Sequence, residues 1–268
     1  MNVLFYNHTS TVSGAERVLL LISAGLRDEK FSPAIMCPEG DLADAARNLG
    51  IPVQVVPELY ARFTLRPDLL IRYLVSIITV VFQIRNAVRA NGPDLVHANS
   101  TRAGITMTLA SIGCRIPVIW HIHDILPRHP ITTMIRVLIR FSPRSHLFAV
   151  SNATAVALRG TLLRNKPVEV ILNCVDLDRF RPDPEVRLRY RAELGLAESD
   201  VAVAIVGQIT RRKGQLGLVR AFGILGESSS QSKLLIIGKP LFVEEDQAYF
   251  AQVKAEAANY NILHFATH

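Results

Sequence analysis

Cysteine, long apolar runs and phosphate-binding glycine fingerprints are all scarce in this sequence, and each scarcity removes a class of protein. The three cysteines, Cys37, Cys114 and Cys174, lie far apart with no C-x-x-C pair. Neither a disulfide framework nor a cysteine-ligated zinc site is expected from them, and a reducing cytoplasm suits them. The opening residues, MNVLFYNHTS, carry no basic leader and no long apolar stretch, so no secretory signal is expected. The N-x-T matches at Asn7, Asn99 and Asn152 are then read as chance rather than as glycosylation sites. The most apolar stretch, 69–84, is interrupted by Arg72, and only twelve residues separate Arg72 from Arg85. A spanning helix needs roughly 18–20 apolar residues, so a buried or surface-lying helix is expected there instead. G-x-G-x-x-G occurs nowhere in a strand-to-helix turn, which argues against a nicotinamide dehydrogenase. No solenoid repeat or low-complexity tract is present.

What is present is a core. Hydrophobic residues make up 49% of 268, enough for one large α/β domain or two smaller ones. Thirty Lys and Arg stand against 23 Asp and Glu, a formal net charge of +7. That balance suits phosphate-bearing ligands or an anionic membrane surface. Short apolar runs at 2–6, 33–37, 53–56, 94–97, 117–122, 146–150 and 168–172 alternate with helical patterns at 14–26, 41–49, 68–90, 102–112, 130–141 and 152–163. This is the rhythm of βαβ units and a parallel sheet. The polar stretch from Asp176 to Pro184 then breaks the pattern, and a second register follows: the charged helix VRLRYRAELGL, a strand at 201–207, a helix at 214–226, a strand at 233–237, a helix at 246–258 and a strand at 261–265. Two domains are read, 1–175 and 176–268. Three parallel strands make half of a nucleotide-binding sheet, so the second domain is expected to be incomplete within these residues.

Several residues could carry chemistry. The first strand-to-helix turn places Ser13 and Gly14 where unpaired backbone N–H groups of a helix start can meet a phosphate, although glycine there also serves tight packing. In PVIWHIHDILPRH, His121 and His123 stand two apart at a strand end and so share a face, with Asp124 next. Carboxyl ends of parallel strands are where open α/β sheets hold ligands, and a histidine there can orient a hydroxyl near neutral pH. The pair could equally be structural, or with Asp124 and His129 part of a metal site, which would make a metal-dependent hydrolase. In the second register, Arg211, Arg212 and Lys213 crowd a loop that opens a helix, a pattern that suits a diphosphate. Gly238 follows the next strand and joins this list. Arg136, Arg140 and Arg144 follow an i, i+4, i+8 rhythm that Arg62, Arg66 and Arg72 extend, a cationic stripe for anionic lipid or simply a solvated face.

Taken in order, SGAER, HIHD, AVSNATA at 149–155, VILNCVDLDRFRPD at 170–183 and VGQITRRKGQ at 206–215 resemble the family 4 glycosyltransferases of the two-Rossmann (GT-B) fold. The resemblance implies two Rossmann-like domains with parallel sheets, the first on the acceptor side and the second, incomplete here, on the donor side. It implies transfer of a sugar from a nucleotide-diphosphate sugar to an acceptor hydroxyl with retention, with no cofactor and no metal. It puts His123 at the active-site histidine, Gly14 near the donor sugar phosphates and Lys213 on the donor diphosphate, with Arg212 and Gly238 beside it. Gln208 stands where many members have arginine. Asn7, His8, Asn99 and Arg102 are the expected acceptor side, and Ser13, Ser151 and Asn173 fall in cleft-side segments. The family's two glutamates, eight apart in a Gly-rich segment, are missing from the sequence, whose last residues, FATH, resemble a segment well upstream of that pair. A noncatalytic sugar-nucleotide or glycan-binding protein is therefore the alternative. The expected partners are a nucleotide sugar, a glycan or lipid-linked acceptor and an anionic membrane surface, not nucleic acid. Cytoplasmic localisation, peripheral to the inner face of a membrane, follows.

Overall fold

A computed structural model describes residues 1–59, 67–226, 231–240, 244–260 and 263–266. The chain divides into two compact units, Met1–Phe180 and Arg181–His268, the division falling a few residues beyond the 175/176 boundary read from the sequence.

In the first unit β1 (Asn2–Tyr6), β2 (Ser32–Cys37), β3 (Val53–Val55), β4 (Leu95–Ala98), β5 (Val118–Ile122), β6 (Ser145–Ala149) and β7 (Val168–Val170) form one sheet in the order β3-β2-β1-β4-β5-β6-β7. All pairs are parallel; Phe5 of β1, for example, sits opposite Ile35 and His97. Among the described residues, six α-helices connect the strands: α1 (Gly14–Asp28), α2 (Asp41–Asn48), α3 (Pro67–Asn91), α4 (Thr101–Ala110), α5 (Pro130–Arg140) and α6 (Asn152–Leu158). Successive strand residues point to opposite faces, so the sheet makes two cores. Leu4, Tyr6, Val96, Trp120 and Ile122 pack with residues of α3 to α6 on one face. Val3, Phe5, Ile35 and Cys37 pack with α1 and α2 on the other. A parallel sheet covered on both faces explains why its strands read as unbroken apolar runs. Strand order reverses between β1 and β4, which makes the carboxyl ends of these two strands the switch point of the sheet.

The expected helix at 152–163 is two pieces, α6 and a 3-10 turn at Thr161–Leu163. Arg136 of α5 meets the break. Its Nε donates to Leu158 O at 2.9 Å, and its Nη2 donates to Ala157 O at 2.9 Å and Arg159 O at 3.0 Å, satisfying carbonyls at the end of α6. Arg140 likewise donates to Leu162 O at 3.2 Å. The cationic stripe is thereby corrected: two of its arginines cap a neighbouring element, and Arg144 lies beyond the end of α5. Arg62, Arg66 and the side chain of Arg72 lie outside the described residues.

The second unit holds α7 (Pro184–Glu193), β8 (Val201–Val206), α8 (Gln215–Gly226), β9 (Ser232–Ile237), α9 (Glu244–Ala257) and β10 (Leu263–Ala266), with the parallel order β10-β9-β8. Residues 261–262 of the expected last strand lie outside the described residues. Asp183 starts α7 by accepting from the N–H groups of Glu185 and Val186, each at 3.0 Å. Ile209, Val219, Phe222, Leu234, Ile236, Tyr249 and Val253 form its core. Among the described residues of the chain, no helix is long and apolar enough to cross a membrane.

Candidate functional site

At the switch point, three strand ends deliver polar side chains to one place. Asn7 follows β1, Asn99 follows β4 and His123 follows β5, while α1 brings Glu16 in from its first turn. Asn7 and Asn99 are both 0% exposed, and Glu16 is 5% exposed. Buried polar groups must be paired, and these are. Glu16 accepts from Ser13 N–H at 3.0 Å, from Ser13 Oγ at 2.5 Å and from Asn7 Nδ2 at 3.2 Å. Asn7 Nδ2 also donates to Thr9 O at 2.9 Å, and Asn7 Oδ1 accepts from Asn99 Nδ2 at 3.2 Å. Asn99 Nδ2 spends its other hydrogen on Ala15 O at 3.2 Å, and Asn99 Oδ1 lies 3.2 Å from His123 Nε2.

Histidines accumulate beside this network. The His121 and His123 rings, two apart on β5 as their spacing requires, have centroids 4.3 Å apart. His97 Nε2 of β4 lies 3.1 Å from His121 Nδ1, and His121 Nε2 is buried with no hydrogen-bond partner among the described residues. His8 Nδ1 lies 3.1 Å from Ser100 Oγ, which accepts from Ala103 N–H at the start of α4. Burial disfavours the imidazolium at every one of these positions. It pushes His8 down to about 4, aided by the Arg102 charge; His97 to about 3, aided by His121; and His121 to about 4, aided by His123. His123 is also lowered by burial, against the opposing pull of Glu16 and Asp124. The cluster is neutral at pH 7. It can orient and polarise hydroxyls without adding positive charge.

Of the residues picked from the sequence, His123, Gly14, Ser13, His8, Asn7, Asn99 and Arg102 all converge on this end of the sheet. Gly14 opens α1, and a Cβ built on it would meet nothing within 4 Å. Packing therefore does not demand glycine there; the space is open to a ligand. Asn7 and Asn99, expected on the acceptor side, are buried and hydrogen-bonded to one another in the network that reaches His123. Ser13 directs its hydroxyl inward to Glu16. His8 is partly accessible and Arg102 exposed, so these two remain on the open side. Ser151 caps α6, accepting from Thr154 N–H at 3.1 Å, and Asn173 is exposed in the segment after β7.

In the second unit, Gly207 and Gly238 end β8 and β9 with φ of 148° at both. A Cβ on Gly238 would sit 1.8 Å from Gly207 O, so the two strand ends approach this closely only because residue 238 is glycine. The chain then runs through Gln208, which is partly buried, into a 3-10 turn at Arg211–Lys213 and on to Gly214 in the left-handed region at φ 78°. Gln215 braces this loop by donating from Nε2 to Gln208 O at 2.8 Å. Arg211 is engaged, its guanidinium 5.6 Å from the Tyr249 ring centroid and 3.8 Å from Glu245. Arg212 and Lys213 are exposed. In the same loop Thr210 Oγ1 and Gln215 Oε1 are buried with no hydrogen-bond partner among the described residues.

Glu16, His97 and Ser100 were missed from sequence. Glu16 had a signal, since Ser13-x-x-Glu16 before an apolar run is a helix-start pattern. His97 had none: a lone histidine in an apolar strand reads as core.

Among the described residues, no three His, Cys, Asp or Glu side chains are placed to share a metal ion. His121 is committed to His97, His123 to Asn99, and His129 caps α5 by accepting from Ile131 N–H at 3.2 Å.

Residues 12–179 match the model of Glycosyltransferase Family 4. A stretch of 70 residues, 26% of this chain, is 39% identical to a GDP-mannose-dependent alpha-(1-6)-phosphatidylinositol monomannoside mannosyltransferase from Mycolicibacterium smegmatis, covering 18% of that protein. Among solved structures, Anabaena HepE in complex with UDP-glucose aligns with all of this chain and 69% of its own, at TM-score 0.77 and 23% identity. A glycosyltransferase from Rickettsia africae aligns over 100% and 68% of the two chains at TM-score 0.73 and 18% identity. Sucrose-phosphate synthase from Thermosynechococcus elongatus aligns over 100% and 70% at TM-score 0.73 and 13% identity. The structural likenesses establish the two-Rossmann (GT-B) fold, and the family match, covering more than half of the sequence, makes this chain a member of Glycosyltransferase Family 4.

Proposed function

We propose that this chain serves the transfer of a sugar from a nucleotide-diphosphate sugar to an acceptor hydroxyl, with retention at the anomeric carbon and without a metal. The observation that carries the reading is the open start of α1 at Gly14 beside a neutral His123, at the switch point of the first sheet. There, free N–H groups can receive the donor's sugar-phosphate end, and His123 can hold a sugar hydroxyl. The second unit, taken by itself, carries exposed Lys213 and Arg212 ahead of α8, positive groups of the kind a departing diphosphate needs where Mg²⁺ would otherwise act. Gln208 brings no charge, so Arg212 takes that share of the load. HepE is described with UDP-glucose and the mycobacterial relative as GDP-mannose-dependent, which supports a nucleotide-sugar donor for this chain. His8 and Arg102, on the open side, are assigned to a glycan or lipid-linked acceptor.

The membrane contact moves from the arginine stripe to a groove of about 1490 Å³ along α5 and α6. Ile125, Met134, Phe141 and Val156 are exposed there, with Arg128 and Arg159 among the lining residues. An apolar surface flanked by arginines suits an anionic lipid surface. A Met134→Asp, Phe141→Asp double variant is expected to stop co-sedimentation with phosphatidylglycerol vesicles; unchanged sedimentation would remove the membrane from the reading.

Donor binding without turnover is the alternative to be separated from transfer by experiment. Hydrolysis or transfer assays with radiolabelled UDP-glucose and GDP-mannose, run beside binding measurements, separate the two. Binding with product supports the transferase, binding without product the alternative, and no binding removes both.

A further inference from the structure

The hydrogen bonds behind His123 have a direction, and that direction fixes a proton. A backbone carbonyl can only accept, so Ala15 O requires the amide NH2 of Asn99 on its side and leaves Asn99 Oδ1 facing His123. Thr9 O imposes the same choice on Asn7, whose Oδ1 must then face Asn99. Both assignments agree with the far end of the chain. Three donors converge on Glu16, the pattern of a carboxylate, so Asn7 can only donate to it. Asn99 Oδ1 has no hydrogen to offer, so the nitrogen facing it must carry one.

We propose that Glu16, Asn7 and Asn99 form a one-way positioning relay that holds His123 with its proton on Nε2 and keeps Nδ1 bare as an acceptor for a donor hydroxyl. Donation runs from His123 to Asn99, from Asn99 to Asn7 and from Asn7 to Glu16, over three contacts of 3.2 Å each. Among the described residues His123 Nδ1 makes no hydrogen bond, and the ring is partly accessible while every member of the relay is buried. The relay thus sets what His123 presents without touching the ligand itself. A sugar hydroxyl, which can donate, fits a bare Nδ1; a carbonyl or phosphate oxygen does not. The use of Nδ1 rests on the transferase reading, but the state of the proton does not.

The test is a nitrogen-15 spectrum of the imidazoles of the whole chain near neutral pH, without nucleotide. The wild type is expected to show His123 as a single neutral form, protonated at Nε2, with that proton slow to exchange with water. Asn99→Ala removes the acceptor, whereas Glu16→Gln leaves Ala15 O and Thr9 O to hold the direction of the amides. In Asn99→Ala, shown folded by circular dichroism, the slow Nε2 proton is expected to be lost and the Nδ1-protonated form to appear; in folded Glu16→Gln the Nε2-protonated form is expected to persist. A wild type protonated at Nδ1, or an unchanged His123 signal in folded Asn99→Ala, overturns the relay. If Asn99→Ala fails to fold, the wild-type spectrum still decides. An intact relay in a chain that binds no nucleotide would leave this inference standing and remove the function proposed above.

Discussion

Burial sets the chemistry of the polar end of the first sheet one residue at a time. His8, His97 and His121 are held neutral by desolvation, at about 4, 3 and 4, below the ordinary 6.5. A group depressed in the folded state binds its proton more readily once unfolded, so these histidines contribute stability above pH 6.5 that is lost as pH falls toward 4. The urea midpoint is accordingly expected to fall between pH 7.5 and pH 5, and to fall less in His97→Phe. A midpoint flat over that range would contradict the buried placement. With three donors aimed at the Glu16 carboxylate, Glu16→Ala strands at least one of them and is expected to cost about 1–3 kcal/mol in chemical denaturation.

At the scale of elements, contacts between helices decide what sequence patterns leave open. Trp120 of β5 lies against α4, where a Cβ on Gly104 would come within 2.3 Å of the indole. Gly104→Ala is expected to destabilise the first unit by about 1–3 kcal/mol through overpacking, read as a lower thermal midpoint. Arg136→Ala removes three hydrogen bonds from the end of α6 and is expected to speed amide exchange in residues 152–163 while β1 and β2 stay protected. The periodicity of α5 was visible in the sequence, and so was the rhythm of its arginines. Their destination was not, because a guanidinium on a helix face looks the same whether it meets water, lipid or the carbonyls of the next helix. The break inside 152–163 was hidden for the same reason. By contrast, the strands of the first sheet were legible, since a parallel strand covered on both faces has to be apolar throughout.

At the scale of the whole chain, two parallel sheets follow from two runs of alternating strand and helix, and the motifs fall at their carboxyl ends because that is where a βαβ chain places its loops. His123, Gly14 and Lys213 could be picked from sequence as strand-end and helix-start residues. Asn7 and Asn99 could be picked too, but not their burial: whether a loop amide faces a ligand or the network behind it depends on partners distant in sequence, Glu16 and Ala15 among them. In the proposed function the chain holds a nucleotide diphosphate through Lys213. Calorimetric titration of UDP and GDP into the wild type and into Lys213→Ala is the decisive measurement. One of the two nucleotides is expected to bind, and the folded variant to bind it about tenfold or more weakly, the loss of one charge-assisted contact of about 1.5–3 kcal/mol. A folded wild type that binds neither, or a variant with unchanged affinity, would contradict it.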